Sequence, residues 1–167
     1  MAYRSLEDTL EDLRTVLKAN LPSKLVTIQE ERGDNLVVPA PGNYSYYISN
    51  NIYTVPDVKL LPVVYLMGWN EVIVARGEQN WDQWLFDLAI RAILSGREQE
   101  TLAKMVYRYA DAIVRILGNE FAALENVLDV RDVRVDYSTV SPTTPLLQGV
   151  EVSCRVLAIR EYGDEEA

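Results

Sequence analysis

Leu6, Leu10, Leu13 and Leu17 recur at spacings of four, three and four, with Val16 beside them, while Glu7, Glu11, Arg14 and Lys18 fall on the opposite side. One apolar stripe at helical period predicts a helix over Leu6–Ala19, opened by Ser5-Leu6-Glu7-Asp8 as a capping box and ended by Asn20 and Pro22. Leu25-Val26-Thr27-Ile28 reads as a short strand before a Gly33-Asp34 turn. Pro62–Met67 and Val72–Ala75 read as two strands joined by a Gly68-Trp69-Asn70 turn. From Trp81 to Leu94 both periods fit. Trp84, Phe86, Leu88, Ile90, Ala92 and Leu94 share a face at period two, opposite Gln83, Asp87 and Arg91, and the strand reading is taken. Leu102, Met105, Val106, Tyr109, Ile113, Ile116 and Leu117 then mark a helix over Glu98–Leu117, stopped by Gly118-Asn119. Two alternating strands follow, Asp132–Thr139 and Val150–Ile159. In the first, Val133, Val135 and Tyr137 oppose Asp132, Arg134 and Asp136. In the second, Val150, Val152, Cys154, Val156 and Ala158 oppose Glu151, Ser153 and Arg155.

Helix, strands, helix, strands in that order predict an α+β fold, a mostly antiparallel sheet flanked by two main helices. The 167 residues, about half of them apolar, suit one domain over 1–160 with a long loop at 33–60, and an acidic tail over 161–167. Within that loop, Pro39–Pro56 is too rich in Pro, Gly and Asn for a regular interior element. It is either a plain loop or a loop with a small hairpin.

Charge and composition narrow the function. Twenty-five acidic against 16 basic residues give a net charge of −9. No Lys/Arg cluster offers a footprint for a phosphate backbone. Cys154 is the single cysteine, so no internal disulfide forms. Neither a signal peptide nor a membrane span is legible, and a soluble protein without membrane partners is expected.

Catalysis finds little support. The chain has no histidine, which removes the commonest general base and the Ser-His and Cys-His pairs. Cys154 sits on the apolar side of its strand, where a thiol is an inert hydrophobe. No metal-ligand, Walker or dinucleotide spacing occurs, so neither metal nor cofactor is expected. Three carboxylate groups remain: Glu30-Glu31, Asp82/Asp87, and Asp129/Asp132/Asp136, whose interleaved arginines suggest an ion-paired sheet face.

The tyrosines stand apart. Tyr65 and Tyr109 fall on core-facing patterns. Tyr44, Tyr46, Tyr47 and Tyr53 crowd the Pro/Gly/Asn-rich loop, where tyrosine provides large contact area at low entropic cost. They either fold back on their own domain or contact another subunit or partner. Nucleic-acid stacking has only Arg32 and Lys59 nearby to support it.

The run "WDQWLFDLAIRAILSGREQETLAKMVYRYADAIVRIL", followed by "VRDVRVDYS" and "LLQGVEVSCRVLAI", resembles the tail-terminator (tail-completion, neck) proteins of long-tailed bacteriophages. An alternating strand leads into a long helix, and paired strands close the domain; "SLEDTLEDLRTVLKANLP" fits as the first helix. The resemblance runs from Ser5 to Arg160 and carries no chemical signature motif. It implies a structural, non-enzymatic virion protein of the head–tail neck, assembled in the host cytoplasm. Such a protein forms a ring, commonly a hexamer, on the last ring of the tail tube. Its partners are further copies of itself, the tail-tube protein and the head-completion protein. DNA passes through the ring without specific binding, and a negative lumen would let it slide. The alternatives are another head–tail connector (a head-completion or tail-tube protein), a small carboxylate-based hydrolase, and a cellular peptide-binding adaptor.

Overall fold

The computed structural model describes residues 5–49, 61–77, 81–141 and 145–161. They form an α+β domain with two helices and one five-stranded sheet. In chain order these are α1 (Leu6–Arg32), β1 (Tyr46–Ile48), β2 (Val63–Arg76), β3 (Trp81–Gly96), α2 (Gln99–Ile116), β4 (Val127–Ser141) and β5 (Leu146–Glu161). The sheet order is β1-β2-β3-β5-β4. All pairings are antiparallel except β1 with β2, which is parallel.

The first helix does not stop at Asn20. It runs 27 residues, through Pro22 and the expected strand Leu25–Ile28, to an αL cap at Gly33. The apolar stripe itself continues: Leu10, Leu13, Leu17, Leu21, Leu25 and Ile28 are all buried. Pro22 removes one amide but lies on the exposed side, where water can satisfy the freed Lys18 carbonyl. A stripe of six buried positions outweighs one proline. The capping box at Ser5 forms as expected, with the Ser5 Oγ accepting from the Asp8 amide and the Asp8 carboxylate accepting from the Ser5 amide.

Trp81–Leu94 is a strand, and it runs two residues further, to Gly96. The two strands expected at Pro62–Met67 and Val72–Ala75 are one strand, β2. Gly68-Trp69-Asn70 is a bulge within it, where the partner register jumps from Gly68↔Leu88 to Asn70↔Asp87. Gly68 also lets α1 approach, since a Cβ there would stand 2.5 Å from the Leu6 side chain. Beside it, the Leu6 amide donates to Glu71 Oε1 at 3.2 Å. β4 begins five residues before its expected start. A second bulge between Arg131 and Arg134, with Asp132 at φ 53°, breaks the alternation read there, so Val133 is exposed rather than facing the core with Val135. β5 keeps its alternation throughout. The Pro39–Pro56 segment holds neither a plain loop nor a hairpin over its described part, but the parallel edge strand β1.

The core lies between the helices and one sheet face, built from the α1 stripe, Leu102, Tyr109, Ile113 and Ile116 of α2, and Phe86, Leu88, Ile90, Val150, Val152 and Val156. α2 ends in a π-turn, Leu117–Phe121, that buries Phe121. The tail expected over 161–167 begins where β5 ends, and residues 162–167 lie outside the described residues.

Candidate functional site: an open sheet face and its edges

Strand alternation turns a second set of side chains away from the helices. One row crosses all five strands: Tyr47, Tyr65, Arg91, Glu151 and Asp136 are mutual neighbours in register. The Tyr47 and Tyr65 rings sit 5.7 Å apart. Burial raises the Tyr65 hydroxyl above its ordinary pKa, helped by Tyr47 beside it. Tyr65 is thus half-buried on this second face and not in the main core, because it lies one residue out of phase with Val64 and Leu66.

A second row holds an ion-paired network. Arg155 Nε donates to Asp87 Oδ1 at 3.0 Å, Asn70 Nδ2 donates to Asp87 Oδ2 at 2.9 Å, and Arg155 reaches Asp132 at 3.6 Å. Asp87, Asp132 and Arg155, with Trp69 and Ser153, line an open depression of about 410 Å³. Its two rims, Trp69 and Asp132, sit at the bulges of β2 and β4. Sequence reading missed Trp69, because a bulge and a turn share the signal Gly-Trp-Asn.

The expected tyrosine group divides. Tyr44 is 90% exposed. Tyr47 is half-buried on the open face. Tyr46 is 4% exposed and belongs to the core of its own chain; burial pushes its hydroxyl up to about 12. That placement corrects its expected role at a contact with another chain, and the cause is β1, which turns alternate residues to opposite faces. Tyr53 lies outside the described residues. Tyr109 is fully buried, as its pattern indicated.

Five of the seven candidate carboxylates pair with arginines. Glu31 accepts two bonds from Arg115, at 2.9 and 2.7 Å, which hold its carboxyl below the usual range. Asp129 pairs with Arg131 at 3.1 Å and Asp136 with Arg134 at 3.0 Å. Asp82 is buried, in register with Arg76 and Arg160. Glu30 is exposed on the outer side of α1. Cys154 is buried, and desolvation, with Asp87 adding to it, pushes its thiol up to about 12. A thiol in that state is not a nucleophile. Among the described residues no group of His, Cys, Asp and Glu could hold a metal, and no helix is long and apolar enough to cross a membrane.

Exposed apolar side chains concentrate on the outer strands: Trp69, Val72 and Val74 on β2, Leu128, Val133 and Tyr137 on β4. Tyr137 meets Tyr107 of α2 edge-to-face at 5.1 Å, beside a groove of about 570 Å³. This is the chemistry of a contact surface.

No protein-family model matches the chain, and no curated protein matches it in sequence. Among solved structures, a chain of the virion of the native gene transfer agent (GTA) particle is similar at 17% identity, over 86% of this chain and 97% of that chain, with a TM-score of 0.45. A likeness that loose assigns no role.

Proposed function

We propose that the protein is a structural component of a phage-like virion, a ring-forming tail-terminator or neck protein without catalytic activity. The observation that carries this reading is the concentration of exposed apolar side chains on the outer strands. Both helices cover one sheet face, and the described outer strands expose six large apolar or aromatic side chains. A monomer working alone gains nothing from such edges, which invite pairing with another chain.

Two further features support it. β3 leads directly into α2, and the pair β4–β5 closes the domain, as the sequence resemblance implies. Glu31, Asp87, Asp129, Asp132 and Asp136, which a hydrolase would need free, are engaged by Arg115, Arg155, Arg131 and Arg134. In this reading the ring, a hexamer as the resemblance implies, caps the tail tube and receives the head-completion protein. DNA passes through a lumen kept non-adhesive by the excess of acid. Tyr44 and Tyr47 contribute to contacts with the next subunit or an adjacent ring.

Sedimentation velocity and negative-stain microscopy over a concentration series test the reading. Closed rings, alone or on added tail tubes, are expected. A monomer under all these conditions would sink it, and a peptide-binding adaptor would then be the better account.

A further inference from the structure

We infer that copies of this chain join head to tail by sheet continuation: the outer edge of β4 in one copy pairs antiparallel with the free edge of β2 in the next. This rests on the ring reading above and names the surface that builds it.

Strand direction comes first. β2, β3, β5 and β4 are successively antiparallel. Four strands alternating in direction leave β2 and β4 running oppositely. Copies set side by side in the same orientation therefore bring β4 against β2 of the neighbour as an antiparallel pair. Among the described residues β4 pairs only with β5. β1 occupies β2 only at Val64–Leu66, and among the described residues no strand lies on the outer side of Met67–Arg76.

The edges themselves come second. Each carries exposed apolar residues at or beside its bulges: Trp69, Val72 and Val74 on β2, Leu128 and Val133 on β4.

The choice between a two-fold and a head-to-tail contact comes third. Asp129-Val130-Arg131 is mirrored by Arg134-Val135-Asp136. A two-fold β4–β4 pair centred on this run would set Asp129 against Asp136 and Arg131 against Arg134, and like charges directly opposite are destabilising. Pairing β4 with β2 avoids this. A head-to-tail contact either closes into a ring or propagates as a filament. With all helices on one side of the continued sheet, the open faces of all copies share the other.

The test uses the full chain in two variants, Val72→Arg and Val133→Arg, each placing a charge on one exposed edge position. Each variant alone should keep the wild-type melting temperature and need more than about tenfold higher concentration to assemble. An equal mixture should give a dimer and nothing larger, because each pair retains one intact β2 edge and one intact β4 edge. In wild-type rings, hydrogen exchange should slow in both Met67–Arg76 and Val127–Ser141 relative to the monomer. Rings formed normally by either variant, or exchange unchanged at both edges, would overturn the edge assignment while leaving the ring intact. Wild-type protein that forms no ring would remove the ring reading and this inference together.

Discussion

The Tyr109 hydroxyl, in the middle of α2, donates to the Pro39 carbonyl at 2.6 Å. Its neighbour Arg108, with a side chain 6% exposed, donates to the Leu36 carbonyl at 3.1 Å and pairs with Asp34. Two adjacent residues of one helix thereby fasten the segment that follows α1 and set where β1 begins. The position of the tyrosine-bearing strand is decided from α2, some seventy residues away in sequence.

Tyr109→Phe should therefore cost about 1 kcal/mol, the net worth of one hydrogen bond. Arg108→Ala should cost about 2 kcal/mol, since it strips a buried charged donor from Leu36 and the packing of its stem. Urea denaturation read by tyrosine and tryptophan fluorescence measures both. Equal stability of wild type and Arg108→Ala would show that the fastening is unimportant.

Stability should fall at both ends of the pH scale. Arg108 lowers the Asp34 pKa, and Arg115 lowers that of Glu31. A depressed carboxylate stabilises above its unfolded pKa, near 4, and that contribution is lost as pH falls through the folded value. Burial raises Tyr46 to about 12 and raises Tyr109 further in the same direction. Their contribution is whole below the ordinary tyrosine value of about 10 and is lost as pH rises through the folded values. Melting temperature against pH should show a plateau with both shoulders, and Asp34→Asn should flatten the acid one.

Pro22→Ala should stabilise the protein. Alanine is favoured over proline inside a helix by about 3 kcal/mol, offset by up to ~1 kcal/mol of added freedom in the unfolded chain. A net gain of about 2 kcal/mol in chemical denaturation is expected. A loss would mean that the surrounding helix depends on the proline.

That residue marks where sequence reading reached its limit. The stripe from Leu6 to Leu17 was legible, but its continuation through Leu21, Leu25 and Ile28 was not, with Leu25–Ile28 reading as a separate strand. Proline's local veto hid it, and burial of the stripe overrode the veto. Trp81–Leu94 shows the converse: either period fitted locally, and pairing with β2 and β5 on both sides selected the strand. The alternation of β5 was read correctly because that strand has no bulge. β2 and β4 were misjudged at Trp69 and Asp132, where a bulge reverses which face a residue serves. For the same reason the tyrosine cluster could not be divided in advance. Tyr46 and Tyr47 are adjacent and go to opposite faces, and only the register of β1 with Val64–Leu66 says which goes where.

The tyrosines should separate in experiment as they do in the fold. Tyr46→Ala should cost about 3 kcal/mol or more as a buried aromatic truncation. The double variant Tyr44→Ser, Tyr47→Ser should stay within about 1 kcal/mol of wild type and weaken assembly, if both rings serve a neighbour. Normal assembly of the double variant would remove the proposed contact.

Cys154 should resist iodoacetamide in the native protein at neutral pH and react on unfolding, because the thiol is buried and its pKa raised. Rapid native labelling would reopen a chemical role for it.

The central claim is that this domain is built to be one subunit of a closed assembly. Its most direct measurement is the mass of the purified protein in solution, taken by sedimentation velocity from dilute to concentrated samples and again with tail tubes present, with the particles imaged by negative stain. The account predicts a step from monomer to one discrete closed ring with a central hole, moved to more than about tenfold higher concentration in Val72→Arg and Val133→Arg at unchanged melting temperature. A single monomeric species throughout, with no particles on the tube ends, would contradict it.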